Sequence, residues 1–127
     1  MTHHSFTGDG IPAAYGAYSH AVEAGDFVFL AGQTGRDGDS GTLIDGDVAA
    51  QTRRAIEIIA AILARFGLGL GDVVRSTVYL ADIDDFAAMN GVYAAMFPAP
   101  WPARSTPEAR LPFGAKVSIE VTAHRRR

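Results

Sequence analysis

The 127-residue sequence contains no cysteine. Disulfides, thiolate nucleophiles and cysteine-ligated zinc or iron–sulfur centres are therefore excluded, and a reducing compartment is permitted. No apolar run approaches the roughly 18–20 residues that a helix needs to cross a bilayer, so no membrane partner is expected. The opening MTHHSFTGDG has neither the apolar core nor the basic lead of a secretory leader, and a cytoplasmic location is the expectation. Positive charge is also in short supply. Lys and Arg number 11 against 14 Asp and Glu, for a formal net charge of −3, whereas a general nucleic-acid binder carries a basic patch. Nucleic acid is accordingly not expected as a partner. The single basic run, Arg125-Arg126-Arg127, reads as a solvated end.

Most motifs that announce a chemistry are missing too. There is no G-x-S-x-G elbow, no Walker loop and no His-Glu-x-x-His pair, and no helix opens directly behind the glycines of 32–41 to make a dinucleotide fingerprint. The Gly/Asp-rich stretch 36–47 lacks the ligand order of a calcium loop and reads as a plain loop. His3 and His4 lie near the chain end, while His20 and His124 read as structural strand residues.

What is present is a globular composition, 48% hydrophobic and 20% charged. Without repeats or linkers, 1–127 is expected to form a single domain, with 1–12 extended or loose. Residues 19–23 and 27–31 read as the arms of a hairpin turning at 24–26. Val48, Thr52, Ala55, Ile56, Ile59, Ile62, Leu63 and Phe66 then recur at spacings of three and four, predicting a helix of about five turns. Asp45 or Asp47 can cap its start, and Gly67 can end it. Strand alternation covers 71–82, helical spacing covers 82–97, and strands are expected at about 103–109 and 115–124. The order β-β-α-β-α-β-β predicts an α+β layer, with a mixed sheet and two helices on one face. In the last strand Val117, Ile119 and Val121 point one way, and Ser118, Glu120 and Thr122 the other. That second face meets water, a pocket or a partner subunit.

Arg104 is the residue whose chemistry stands out. Its guanidinium is a rigid fork matched to a carboxylate and charged at any working pH. Pro102 and Pro107 restrict the backbone on either side. A surface ion pair with a nearby acid remains the alternative reading. Phe97, Trp101 and Phe113 read equally as pocket walls or as core and subunit contacts.

The stretch ARST…ARLPFGAKVSIEVTA (103–123) resembles the C-terminal signature of the RidA/YjgF family, also called the L-PSP endoribonuclease or translation-inhibitor family. PAAYGAYSHAVEAGDFVFLAGQTG (12–35), DVAAQTRRAIEIIAAIL (47–63) and GDVVRSTVYLADIDDFAAMNGVYAAMF (71–97) are similar to further blocks of that family, in order. The resemblance implies a chorismate-mutase-like subunit that assembles as a homotrimer with clefts between subunits. It implies hydrolytic deamination of reactive enamine/imine intermediates, such as 2-iminobutanoate, to 2-keto acids and ammonia, with no cofactor or metal. The family arginine that grips the substrate carboxylate falls on Arg104, and the position often occupied by cysteine on Thr106. The cleft tyrosine falls on Tyr18, and the glycine of the S-G-Q turn on Gly32.

Two departures from the pattern bear on the chemistry. The family's G-P-Y reads Gly16-Ala17-Tyr18, without the stiffening proline. The glutamate assigned to water activation aligns with Ser118, and Glu120 matches the second glutamate of the motif. The two lie on one strand face about 6.5–7 Å apart. Glu120 can reach the cleft or serve as a structural charge paired with Lys116 or Arg75. The expected activities are therefore deamination of a small carboxylate substrate, or carboxylate binding without catalysis in the same trimer. The ribonuclease role in one family name is not expected of an acidic chain without a histidine pair.

Overall fold

The computed structural model describes residues 1–126. Among these, six strands form one sheet in the order β1-β2-β3-β6-β4-β5. The strands are β1 (Thr2–His4), β2 (Ala21–Ala24), β3 (Phe27–Leu30), β4 (Val73–Leu80), β5 (Ala103–Ser105) and β6 (Val117–His124). Only β4 and β5 pair in parallel, so the sheet is mixed. Helices α1 (Val48–Ala64) and α2 (Phe86–Met96) cover one face.

The helical periodicity of the sequence reports α1 well. Every member of its stripe from Val48 to Phe66 is buried, and Asp47 caps the start by accepting from the Ala50 N–H at 3.0 Å. Burial of each large aliphatic side chain contributes about 1.5–3 kcal/mol. At the far end Leu68 N–H bonds to the Leu63 carbonyl and Gly67 N–H to that of Ala64. This crossed pair needs a left-handed residue, which Gly67 supplies at φ 70°. Under α1, Val117, Ile119, Val121 and Ala123 of β6 alternate with half-buried polar positions, as a strand with one covered face must.

Several boundaries differ from the sequence expectation. The first arm of the hairpin begins at Ala21, leaving His20 just before the strand. The lead-in contributes β1, paired to β2, and buries Ile11. The predicted helix over 82–97 splits into a single 3₁₀ turn, Ile83–Asp85, followed by α2. The strand expected at 103–109 stops at Ser105 because Pro107 has no N–H for a ladder, although its carbonyl accepts from Leu80 N–H at 3.0 Å. Arg126 is exposed, as expected of a solvated end, but Arg125 is not. Arg125 donates to the Phe66 carbonyl and to Glu23, and Arg126 donates to the Gly71 carbonyl. Arg127 lies outside the described residues.

No helix among the described residues is long and apolar enough to cross a membrane. The 36–47 loop is closed by its own bonds: the Asp37 carboxylate accepts from the Asp39 and Ser40 N–H groups, each at 2.9 Å. His20 is buried as a strut, with Nδ1 accepting from Phe6 N–H and Nε2 donating to the Pro12 carbonyl at 2.8 Å. His124 packs its ring 4.9 Å from that of Phe27.

Candidate functional site

Pairing in parallel with β4 sets Arg104 beside Ser76, and residues side by side in a ladder share a face. Ser76 is buried on the helix side, with its hydroxyl 2.7 Å from that of Tyr93 on α2. Arg104 therefore reaches toward α2. Its guanidinium carbon lies 4.6 Å from the Tyr93 ring centroid and 5.4 Å from that of Phe86, both cation–π distances. Among the described residues it forms no ion pair, so the surface-salt-bridge alternative is not the one adopted. The cation borders a cavity of about 180 Å³ lined by Asn90, Tyr93, Ala94, Trp101 and Pro102. Burial pushes the Tyr93 hydroxyl up from its ordinary pKa, while the Ser76 bond and the Arg104 charge act the other way. A charged fork held by aromatic faces in a small cavity is suited to a carboxylate.

Ser118 and Glu120 stand on the opposite face of the sheet. Gln33 pairs with Ile119 through two backbone bonds of 2.8 and 2.9 Å, which seats Gly32 against Ser118. A Cβ on Gly32 would lie 2.9 Å from Ser118 Oγ, so a larger residue there would push the serine hydroxyl aside. Glu120 lines a separate cavity of about 210 Å³ with Phe29, Leu30, Arg75, Thr77 and Thr122. Its expected partners were Lys116 or Arg75. Instead the Tyr79 hydroxyl donates to Oε1 at 2.7 Å, and Arg75 donates to Ser105 Oγ. The bond to Glu120 pushes the Tyr79 pKa up, helped by the carboxylate charge and by burial.

Tyr18 and Thr106 complete the set of expected residues. Tyr18 is exposed ahead of β2, its ring edge-on to Tyr15 and its hydroxyl accepting from Tyr15 N–H. Tyr15 in turn borders a cavity of about 360 Å³ with Arg36, Thr34, Leu43 and Phe113. Thr106 follows β5, half-buried, two residues beyond Arg104. The structure thus joins Gly32 to Ser118 and puts Glu120 on the same face, but keeps Arg104 across the sheet from them. Of the aromatics with two readings, Phe97 is core, Trp101 borders the Arg104 cavity, and Phe113 is exposed beside Tyr15.

Phe86, Asn90, Tyr93 and Tyr79 are among the residues of these sites that sequence reasoning did not single out. Phe86, Asn90 and Tyr93 lie at spacings of four and three on α2, a signal that they share a face and can frame one side chain. Tyr79 left no such signal, because its partner is 41 residues away and the pairing depends on strand register.

Residues 9–125 match the family model described as Endoribonuclease L-PSP. The chain is 44% identical over 115 residues to a RutC family protein of Pyrococcus abyssi, covering 90% of this chain and 91% of that one. It is 43% identical over 119 residues to the 2-iminobutanoate/2-iminopropanoate deaminase of Salmonella typhimurium, covering 91% and 92%. Among solved structures, E. coli TdcF with bound serine superposes with a TM-score of 0.90 at 34% identity, covering 98% of this chain and all of that one.

Proposed function

The chain belongs to the endoribonuclease L-PSP family, the RidA/YjgF family, and from that premise we propose that it hydrolyses 2-imino acids to 2-keto acids and ammonia in clefts between copies of itself. The observation that carries this reading is the unpaired Arg104 guanidinium in its aromatic cavity, across the sheet from Ser118 and Glu120. One copy cannot present its anchor and its acid–base group to the same small molecule. Neighbouring copies in a closed homotrimer can, each lending Arg104 to the next copy's Ser118 and Glu120. The open sheet face supports such an arrangement, because Phe27 and Phe29 are 42% and 45% exposed there. Exposed aromatics side by side suit an interface.

In this mechanism Arg104 grips the substrate carboxylate through two parallel hydrogen bonds and fixes the neighbouring imine carbon. The protonated imine is already electrophilic, so the protein has to place one water and move its protons. Ser118 Oγ can hold the water as a hydrogen-bond partner, and Glu120 can accept its proton. The products are a 2-keto acid and ammonium, with atoms and charge balanced and no redox step. The name of the Salmonella relative and the serine held by TdcF, an α-amino carboxylate, point to the same substrate class.

The second reading is a carboxylate-binding trimer that does no chemistry, and the serine at position 118 favours it, since a hydroxyl is a poor base at neutral pH. The experiment generates 2-iminobutanoate in situ and follows ammonia with and without the protein. Acceleration over buffer that is lost in Arg104→Ala supports deamination. Calorimetric binding of 2-ketobutyrate with no acceleration supports the binding module.

A further inference from the structure

Ser118 leaves the proposed site without the carboxylate that its family motif would place there, which turns attention to the other groups on the open sheet face. Among the described strand residues on that face, Glu120 is the only carboxylate. In the β4–β6 ladder Glu120 stands opposite Thr77, and Ser118 opposite Tyr79. The Tyr79 side chain leans one pair along, and its hydroxyl donates to Glu120 Oε1 at 2.7 Å. A diagonal contact of this kind is within reach of an aromatic side chain. It holds the carboxylate by one oxygen and leaves Oε2 without an intrachain hydrogen bond among the described residues. The same carboxylate borders a cavity of about 210 Å³, room enough for water and a small substrate.

Resting on the deaminase reading above, we infer that Glu120 is the catalytic base of this chain and that Tyr79 is its positioning residue, fixing the carboxylate so that one oxygen remains for the attacking water. Water adds to the protonated imine carbon as Glu120 takes one of its protons, and the C=N π pair moves to nitrogen, giving a neutral carbinolamine. The Glu120 carboxyl returns that proton to the nitrogen. The C–N bond then breaks with its electron pair on ammonia, while the carbinol proton goes to Glu120 and from there to the ammonia. A phenylalanine at position 79 keeps the shape and the packing but loses the bond that orients Glu120.

The test compares steady-state deamination by wild type, Tyr79→Phe, Glu120→Gln and the double variant, all near-isosteric changes, with melting curves to confirm folding. Glu120→Gln is expected to lower kcat about 100-fold. Tyr79→Phe is expected to lower kcat about tenfold with KM unchanged, the cost of a lost charge-assisted bond. The double variant should be no slower than Glu120→Gln alone, because Tyr79 acts only through that carboxylate. Full activity of Glu120→Gln or of Tyr79→Phe, or additive losses in the double variant, overturns the inference while leaving deamination intact. An inactive wild type overturns the deaminase reading itself, and this inference with it.

Discussion

Arg104 and Glu120 occupy opposite faces of one sheet: Arg104 shares the helix side with Ser76 in the β4–β5 ladder, and Glu120 shares the open side with Tyr79. Under the proposed mechanism each serves part of one reaction, and the two meet only between copies. Separate functional consequences attach to each side.

On the helix side, Arg104→Ala should weaken calorimetric binding of 2-ketobutyrate at least about tenfold, as loss of a bidentate charge-assisted pair requires. Arg104→Lys should rescue little of it, because an ammonium cannot reproduce the planar fork. The melting temperature should barely move, since among the described residues the guanidinium has only cation–π partners, worth about 0.5–1 kcal/mol when exposed.

On the open side, Ser118→Glu should raise kcat about tenfold or more by adding a second proton acceptor beside the water. Gly32→Ala should lower activity by displacing Ser118, whose Oγ would stand 2.9 Å from the new methyl. Measured kcat for the two variants checks both statements.

Beneath the Arg104 cavity, Ser76 and Tyr93 share a buried hydroxyl pair at 2.7 Å. Removing either hydroxyl strands the other, so Ser76→Ala and Tyr93→Phe should each cost about 1–3 kcal/mol in denaturant unfolding. The double variant should lose less than the sum, because no unpaired group is then left behind.

Alkaline stability should report the Tyr79–Glu120 bond. The pKa of Tyr79 is raised in the folded protein by its hydrogen bond to Glu120. The bond therefore stabilises fully below the ordinary tyrosine value of about 10 and is lost as pH rises through the higher folded value. Wild type should lose stability over that window more steeply than Tyr79→Phe. Some slope should persist in the variant, because burial also raises Tyr93 and Tyr15.

Helix α1 was legible because a 3.6-residue period is written locally, and the alternation in β6 was legible for the same reason. The side of the sheet that Arg104 takes was not, since it follows from the parallel register of β5 on β4, set by contacts nearly 30 residues apart in sequence. The true length of β5 turned on a single missing N–H at Pro107, a residue the sequence reading had noted only as stiff. Arg125 looked like part of a loose basic tail because its partners, Phe66 and Glu23, come near it only after folding. Family resemblance picked out Gly32 and Ser118 separately, whereas their contact and the Tyr79 bond to Glu120 both depend on strand register and required the structure.

The most direct measurement is subunit complementation. Arg104→Ala and Glu120→Gln, each expected to be severely impaired in 2-iminobutanoate deamination, are unfolded together in equal amounts, refolded as a mixture and assayed. In a closed ring whose sites each take Arg104 from one copy and Glu120 from the next, random mixing restores about a quarter of the sites. Recovery of that order, absent when the two are refolded separately and mixed just before assay, is the predicted result. A co-refolded mixture no more active than its parents would contradict a site shared between copies.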